Sequence, residues 1–102
     1  MTVDELTVNW SEEGVQKVRE LHKSVLGSST SWATVAFLFQ ENDGAGGWRA
    51  AKVSVRRYRK RGKGWIVDKH LTLSTATQAL ALAKAVVTWF PDGAPHAHDE
   101  EG

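Results

Sequence analysis

The spacing of apolar residues predicts a helix near the start of the chain. Between residues 12 and 26, valine and leucine recur every three or four positions, beginning at Val15, which is the spacing of an amphipathic helix. Ser11 precedes this stretch as a candidate N-cap, and Glu12 and Glu13 stand in the first turn, where acidic side chains suit the helix dipole. The pattern therefore predicts an N-terminal helix over residues 12–26.

Alternation with a period of two replaces the helical spacing after residue 31. Residues 32–40, 48–60 and 65–73 are rich in β-branched and aromatic side chains, and each stretch is typical of a strand. Glycine-containing turns separate them at residues 43–47 and 61–64. Strands that follow one another through short turns predict an antiparallel meander.

The last regular element is a second helix over residues 75–90. Thr75 and Gln78 have the spacing of a capping box at its start, and Pro91 ends it because proline cannot continue the hydrogen-bond ladder. Apolar residues cover so broad an arc of this helix that one side of a sheet cannot cover them all. We therefore expect homodimerisation through this helix.

These elements together predict an α+β fold. It consists of an N-terminal helix, a curved antiparallel β-meander of three to four strands, and a long C-terminal helix that mediates a dimer. We expect residues 1–31 to form a strand and helix extension, with the short strand at residues 6–10. Residues 32–91 then form the core of meander and helix, and residues 92–102, which are rich in Gly, Pro, His and acidic residues, form a disordered tail.

Composition narrows the class of protein. A chain of 102 residues has the length of one domain. It contains no cysteine, which excludes disulfides and thiolate metal sites. No apolar run approaches the roughly 18–20 residues that span a bilayer, and residues 1–6 carry two acids and no basic residue, unlike a secretion signal. We expect a cytoplasmic protein, nucleoid-associated if bacterial.

Charge is distributed unevenly along the chain. The formal net charge is only +1, but the segment from residue 49 to residue 69 is strongly basic, with Asp68 as its one acid. A localised basic stripe in a nearly neutral chain indicates a localised attraction to a polyanion. The stripe contains nine basic residues: Arg49, Lys52, Arg56, Arg57, Arg59, Lys60, Arg61, Lys63 and Lys69.

Side chains alternate between the two faces of the basic strand. Val53 and Val55 share one face, which we expect to pack against the C-terminal helix. The opposite face is expected to be open to solvent, with cations on both sides of an aromatic ring. It carries Lys52, Ser54, Arg56, Tyr58 and Lys60.

Cations beside an aromatic ring are what a single-stranded nucleic acid requires. Lysine and arginine neutralise phosphates, and a stacked base contributes about 1–3 kcal/mol. Trp65, directly after the second turn, is a further candidate for stacking. The predicted nucleic-acid-binding site comprises Lys52, Ser54, Arg56, Tyr58, Arg59, Lys60, Arg61, Lys63, Trp65 and Lys69.

The stretch from residue 34 to residue 90 resembles the single-stranded-DNA-binding domain of the transcriptional coactivator positive cofactor four. Residues 53–58, Val-Ser-Val-Arg-Arg-Tyr, are similar to the alternating strand of that family that ends in Arg-x-Tyr. Gly64-Trp65 resembles the Gly-x-Trp turn of its bacterial members. Residues 69–74 resemble its Lys-Gly-Ile-Ser/Thr-Leu strand, which runs into the helix.

The resemblance implies both a fold and a set of contacts. The family has a curved antiparallel sheet followed by a long helix, dimerises through the helix and binds single strands on the sheet. For this chain, it implies phosphate contacts at Arg56 and Lys69 and base stacking at Tyr58 or Trp65. The chain departs from the family at His70, where the family has glycine, and in its additional N-terminal helix.

The function predicted from sequence is binding of single-stranded DNA or RNA without strong sequence preference, in transcription, replication, recombination or repair. Three alternatives remain open. The order helix, three strands, helix is also that of a double-stranded-RNA-binding domain, although residues 74–78 lack the lysines which that domain places at the start of its second helix. The basic face can instead bind an acidic protein partner, or serve only as a solvated face that protects the sheet.

We expect neither catalysis nor a cofactor. The glycine-rich loop at residues 43–47 lacks the Gly-Lys-Ser/Thr ending of a phosphate cradle. His96 and His98 lie among acidic residues and are candidate metal ligands, but a disordered tail provides no rigid scaffold to fix them. The sequence therefore predicts no metal site.

Overall fold

The computed structural model describes residues 2–91, which form one curled antiparallel sheet followed by a helix. A 3₁₀ turn at Val3–Glu5 precedes the sheet, and the helix, α1, spans Ala76–Trp89. Within this part of the chain the protein is mostly β, with a single α-helix at its end. Five strands follow one another and each pairs with the next: β1 (Trp10–Glu12), β2 (Val15–Ser28), β3 (Trp32–Glu41), β4 (Lys52–Arg61) and β5 (Gly64–Leu73).

The predicted helix over residues 12–26 is wrong, because β2 occupies this stretch. Glu13 and Gly14 both have positive φ, 52° and 79°, and they form the two-residue loop of a type I′ hairpin that joins β1 to β2. β-bulges at Leu21 and Leu26 then interrupt the strict alternation of β2. Because each bulge inserts one extra residue, the apolar residues of β2 are spaced three or four positions apart, as they would be in a helix.

This finding corrects the predicted fold class. The expected N-terminal helix is absent from residues 2–91, and the meander has five strands in place of three to four. Residues 10–28 pair into the same sheet as the later strands. The order of helix, three strands and helix that suggested a double-stranded-RNA-binding domain is therefore also absent. The predicted disordered tail, residues 92–102, lies outside the described residues.

The later elements lie close to their predicted positions. β3 and β5 match within one residue at each end, whereas β4 begins at Lys52 rather than at residue 48. Residues 43–47 form the expected turn, in which the Asp43 carboxylate accepts hydrogen bonds from the backbone N–H groups of Ala45 and Gly47. These bonds hold the pKa of Asp43 below its ordinary value.

The start of α1 follows the predicted capping pattern. Thr75 Oγ1 accepts a hydrogen bond from the backbone N–H of Gln78 at 3.1 Å. Gln78 Oε1 accepts a second one from the backbone N–H of Ser74, also at 3.1 Å. In a standard capping box the donor of the second bond is the backbone N–H of the N-cap residue itself. Here the N-cap is Thr75 but the donor is Ser74, so the two hydrogen bonds also fix the residue before the N-cap.

The sheet has an inner face, which carries Val35 and Phe37, and an outer face, which carries Val55. Directly opposed residues of antiparallel strands project to the same side. β3 and β4 keep one register along their whole contact, with Val35 opposite Arg56 and Phe37 opposite Ser54. The buried side chains among residues 2–91 lie on the inner face or against it: Leu6, Val8, Ala33, Val35, Phe37, Phe39, Ser54 and Tyr58.

The N-terminal segment (residues 2–9) covers the middle of the inner face. Leu6 and Val8 are buried in the same apolar cluster as Phe37 and Phe39 of β3. Burying a side chain of this size contributes about 1.5–3 kcal/mol. The segment is therefore part of the hydrophobic core, although none of its residues belongs to a strand.

Lys23 on β2 ties the N-terminal segment to the sheet. Lys23 lies opposite Phe37, so its side chain projects from the inner face. Its ammonium donates hydrogen bonds to the carbonyl oxygens of Val3 at 2.8 Å, Asp4 at 3.0 Å and Leu6 at 2.7 Å. One cation thus gathers the carbonyl groups of a segment that has no strand partner for them.

We expect Lys23→Met to lower the free energy of unfolding by about 1.5–3 kcal/mol, because hydrogen bonds to a charged group contribute in this range and methionine cannot donate them. Urea denaturation measures the effect. The exposed Lys84 on α1 provides a matched control, and Lys84→Met should change the free energy of unfolding by less than about 0.5 kcal/mol. Equal effects of the two substitutions would contradict the role assigned to Lys23.

Candidate nucleic-acid interface

The basic strand β4 divides its charged side chains between the two faces of the sheet. Its register with β3 and β5 places Lys52, Arg56 and Lys60 on the inner face, and Arg57 and Arg59 on the outer face. Arg61, at the end of the strand, lies on the outer face as well. The inner series from β4 is the one expected from sequence: Lys52, Ser54, Arg56, Tyr58 and Lys60.

The inner face is not open along its whole length, contrary to the prediction. Ser54 is fully buried and Tyr58 is 5% exposed, because both lie in or beside the apolar cluster under the N-terminal segment. Neither side chain can meet a nucleic acid in this structure. On the outer face, Val55 and Leu82 of α1 line a common groove of about 460 Å³, so the helix borders the valine side of the strand but leaves it partly open.

Tyr58 is a core residue rather than a stacking platform. Burial raises the pKa of Tyr58 above its ordinary value of 10.0, and the nearby Arg56 guanidinium opposes this shift. Its hydroxyl is buried and makes no hydrogen bond of standard geometry within residues 2–91. The predicted stacking of a base on this ring is therefore not supported.

A β-bulge at Asp68 decides which side chains of β5 join the inner face. Tyr58 lies opposite Val67, but Arg57 lies opposite Lys69, so the pairing skips one residue. Arg56 is consequently opposite His70. Lys69, a predicted phosphate contact, lies on the outer face, and His70 takes the inner position beside Arg56.

The inner face contains a polar pocket of about 470 Å³, which we call the inner pocket. It lies where the N-terminal segment leaves the sheet and runs into β1. Lys52, Arg56 and His70 bring basic groups to it, and Glu41 brings a carboxylate. Trp10, the first residue of β1, adds an aromatic ring that is 54% exposed. Pockets of this volume are typical of small-molecule and nucleotide sites.

Arg56 is the most available cation of the inner pocket. Lys52 forms an ion pair with Glu41, which neutralises part of its charge. Arg56 has no carboxylate within ion-pair distance in the described part of the chain, and its Nε reaches the Ser54 hydroxyl only at 3.4 Å. An arginine that no carboxylate neutralises, placed beside a histidine, is suited to a phosphate or another oxyanion.

The β4–β5 hairpin, which we call the basic hairpin, carries the second group of predicted residues: Arg59, Lys60, Arg61, Lys63 and Trp65. Gly62 has a φ of 61°, which suits the first position of a type II′ loop and turns the chain at Lys63. Trp65 packs against the core cluster, and the Lys60 ammonium lies 4.9 Å from the centre of its ring. A base can stack on that ring face only if it displaces Lys60. Arg59 and Arg61 are exposed next to this pair.

Two groups in the inner pocket were not predicted as binding residues. Trp10 belongs to the short strand expected at residues 6–10, and its ring lies at the pocket rim because β1 starts there. His70 reaches the pocket only through the bulge at Asp68. The alternation of Leu6, Val8 and Trp10 was the one signal in the sequence for the position of Trp10. It predicts that the Trp10 ring lies on the same side of the chain as Leu6 and Val8, which are buried.

No protein family model matches this sequence, and no curated protein or solved structure matches it either. Within residues 2–91, no cluster of three or more His, Asp or Glu side chains is arranged to hold a metal ion, and no helix is both long enough and apolar enough to cross a membrane. His96 and His98 lie outside the described residues.

Tyr58 is the only tyrosine of the chain, so its ionisation can be followed by ultraviolet absorbance. We expect the native protein to ionise above pH 10.0, because burial raises the pKa of Tyr58, and the urea-unfolded chain to ionise near the ordinary value of about 10. The folded state favours the protonated ring, so this contribution to stability is complete below the unfolded pKa and is lost as pH rises through the native one. Ionisation of the native protein at the ordinary pKa would show that the ring is exposed. The Tyr58→Phe variant, which has no tyrosine, gives the background absorbance.

Proposed function

We propose that this protein binds single-stranded DNA or RNA through the inner pocket and the adjacent basic hairpin, without strong sequence preference. The observation that carries the proposal is the position of Arg56, a guanidinium without a carboxylate partner among residues 2–91, beside His70 in a pocket whose rim is the exposed ring of Trp10. Cations that meet phosphates next to a ring that can stack on a base are the common chemistry of single-strand binding.

The shape of the site favours single strands over duplexes. The bases of a duplex are paired and stacked inside it, whereas a single strand can turn a base outward onto an aromatic ring. The Trp10 ring lies at the rim of a recess rather than on a flat surface, so it can meet only a base that leaves its stack. Lys60 at the hairpin extends the basic surface of the inner face for neighbouring phosphates, and Arg59 and Arg61 add cations on the outer face of the same hairpin.

The resemblance to positive cofactor four supports the same proposal through the order of its elements. Residues 53–58 and 69–73 lie on two paired strands, and a helix follows them directly. Under this proposal the protein acts in the cytoplasm, in transcription, replication, recombination or repair, and the binding uses neither a catalytic step nor a cofactor. Arg56 keeps the phosphate contact that the resemblance implies, while the stacking position moves from Tyr58 to Trp10.

An acidic protein partner is the second candidate function. The outer face carries cations, Arg57 and Lys69, beside the apolar groove of Val55 and Leu82. A surface that combines cations with exposed aliphatic side chains suits an acidic, partly apolar segment of another protein. This candidate uses the outer face, so variants of the inner pocket separate it from nucleic-acid binding.

We also propose that the protein is a homodimer. α1 has no buried residue, and its arc of exposed apolar side chains includes Leu80 and Val87. The described chain measures 50 × 38 × 17 Å and has a radius of gyration of 15.8 Å, whereas a compact protein of about 100 residues has one of about 13 Å. A thin protomer with an uncovered apolar helix is stabilised when a second copy covers that helix.

We expect Arg56→Gln to weaken binding of a fluorescent single-stranded oligonucleotide similarly for all sequences, because the guanidinium meets phosphate rather than a base edge. In anisotropy titrations at several salt concentrations, the log–log salt slope should become shallower by about 0.7, the value of one phosphate contact on a single strand. Lys84→Gln removes the same charge from the exposed surface of α1 and should leave affinity and slope unchanged.

The same titration with the matching duplex and with a structured RNA tests the preference for single strands. Equal affinity for all three ligands would remove the single-strand proposal. Normal oligonucleotide binding by Arg56→Gln would remove the inner pocket from the interface. Binding of an acidic peptide in place of any nucleic acid would favour the second candidate.

We expect Val87→Lys to shift the protein from dimer to monomer in analytical ultracentrifugation, because a charge in the apolar arc of α1 cannot be buried without a partner. Ala81→Lys adds the same charge on the stripe of α1 that also carries Lys84 and Thr88, and it should leave the dimer intact. A monomeric wild-type protein at micromolar concentration would contradict the dimer directly.

A further inference from the structure

We propose that the inner pocket holds one nucleotide of the bound strand, with its phosphate against Arg56 and His70 and its base against Trp10. The inference rests on the proposed function and names the unit of the strand that the site accepts. It follows from the way the sheet register separates the charged groups of the pocket and from the hydrogen bonds that join the wall carrying Trp10 to β2.

The register places the charged groups of the pocket at two different ends. Trp10 lies opposite Val18, and Val18 lies opposite Glu41, so these three side chains form one row across β1, β2 and β3. Arg56 and His70 form another row across β4 and β5. All five line the same pocket or its floor. The pocket therefore has an aromatic end, where Glu41 is paired with Lys52, and a basic end at Arg56 and His70.

The basic end suits a phosphate group. Arg56 and His70 project side by side from neighbouring strands, and two basic groups directly opposite each other repel when both are charged. A phosphate placed between them removes that repulsion and accepts hydrogen bonds from both. Thr72, next along the inner face of β5 and also lining the pocket, adds a hydroxyl that can donate to the same group.

The opposite end suits a base. The Trp10 ring provides a stacking surface, and Val8, Val18 and Phe39 form an apolar floor beneath it. Glu41 lies at this end in an ion pair with Lys52, so the two side chains together bring little net charge to attract a phosphate, and the second carboxylate oxygen of Glu41 can accept a hydrogen bond from an exocyclic amino group. The polarity of the nucleotide in the pocket is set by this arrangement, and bases that carry an amino group are favoured over thymine.

The wall that carries Trp10 is joined to β2 by three hydrogen bonds. Asn9 Oδ1 accepts hydrogen bonds from the backbone N–H of Glu20 at 2.7 Å and from Gln16 Nε2 at 3.3 Å. Thr7 Oγ1 donates to Glu20 Oε1 at 2.7 Å. Thr7 and Asn9 flank Val8, which is buried. A pocket whose walls are already in place loses little ordering entropy when a small ligand enters it.

The test uses deoxyadenosine 5′-monophosphate, thymidine 5′-monophosphate, deoxyadenosine and inorganic phosphate as separate probes. Nuclear magnetic resonance reports on the indole N–H signals of the five tryptophans and on the histidine imidazoles. The Trp10→Leu variant identifies the Trp10 signal and removes the stacking surface. Trp89→Leu, which removes another exposed ring on α1, is the matched control.

We expect deoxyadenosine 5′-monophosphate to shift the Trp10 and His70 signals together and to compete with a single-stranded oligonucleotide. Inorganic phosphate should shift His70 alone. Trp10→Leu should weaken nucleotide binding about tenfold, which is within the contribution of one stacked base, and leave phosphate binding unchanged. Arg56→Gln should weaken the binding of both the nucleotide and inorganic phosphate, whereas Trp89→Leu should change neither. Thymidine 5′-monophosphate should bind more weakly than deoxyadenosine 5′-monophosphate.

Three results would overturn the inference. If the oligonucleotide binds but the nucleotide leaves the Trp10 and His70 signals unchanged, the pocket assignment is wrong while the proposed function stands. If the nucleotide acts like phosphate and Trp10→Leu has no effect, the pocket is an anion site without a place for a base. If neither nucleotide nor oligonucleotide binds, the inference and the proposed function fail together.

Discussion

The rest of the structure depends on the way in which the Lys23 ammonium holds the N-terminal segment over the sheet. A single layer of strands exposes one apolar side unless another element covers it. Here Leu6 and Val8 complete the cluster around the phenylalanines of β3, and three hydrogen bonds from Lys23 satisfy the backbone of the segment that carries them. This cover buries Tyr58 and leads the chain into β1, where Trp10 borders the inner pocket.

Short-range rules account for the elements of the second half of the chain. The alternation of residues 32–40 and 65–73 and the cap at Thr75 depend on neighbours within a few positions, and both strands and the cap lie where these patterns predict. The first half obeys the same physics, but its two bulges move apolar residues out of strict alternation. A reader of the sequence alone sees valine and leucine at helical intervals and has no local signal for a bulge.

The candidate site was only partly predictable for a related reason. Alternation along β4 correctly grouped Lys52, Arg56 and Lys60, because side-chain direction within a strand is a local property. Which side of the sheet is packed is a tertiary property, decided by an N-terminal segment far away in the sequence. The place of His70 depends on a single skipped residue: without the bulge at Asp68, the hairpin register would set Lys69 opposite Arg56 and leave the histidine on the other face.

The same bulges on β2 have a consequence for how copies of this protein can associate. Within the described chain, β1 pairs with β2 no further than Val18, and beyond the Glu20 N–H, which donates to Asn9, the rest of that strand is a border of the sheet. Such borders recruit strands from other molecules and seed fibrils. The irregular backbone at Leu21 and Leu26 breaks the repeat that an incoming strand would need, which makes edge-to-edge pairing along this border unfavourable.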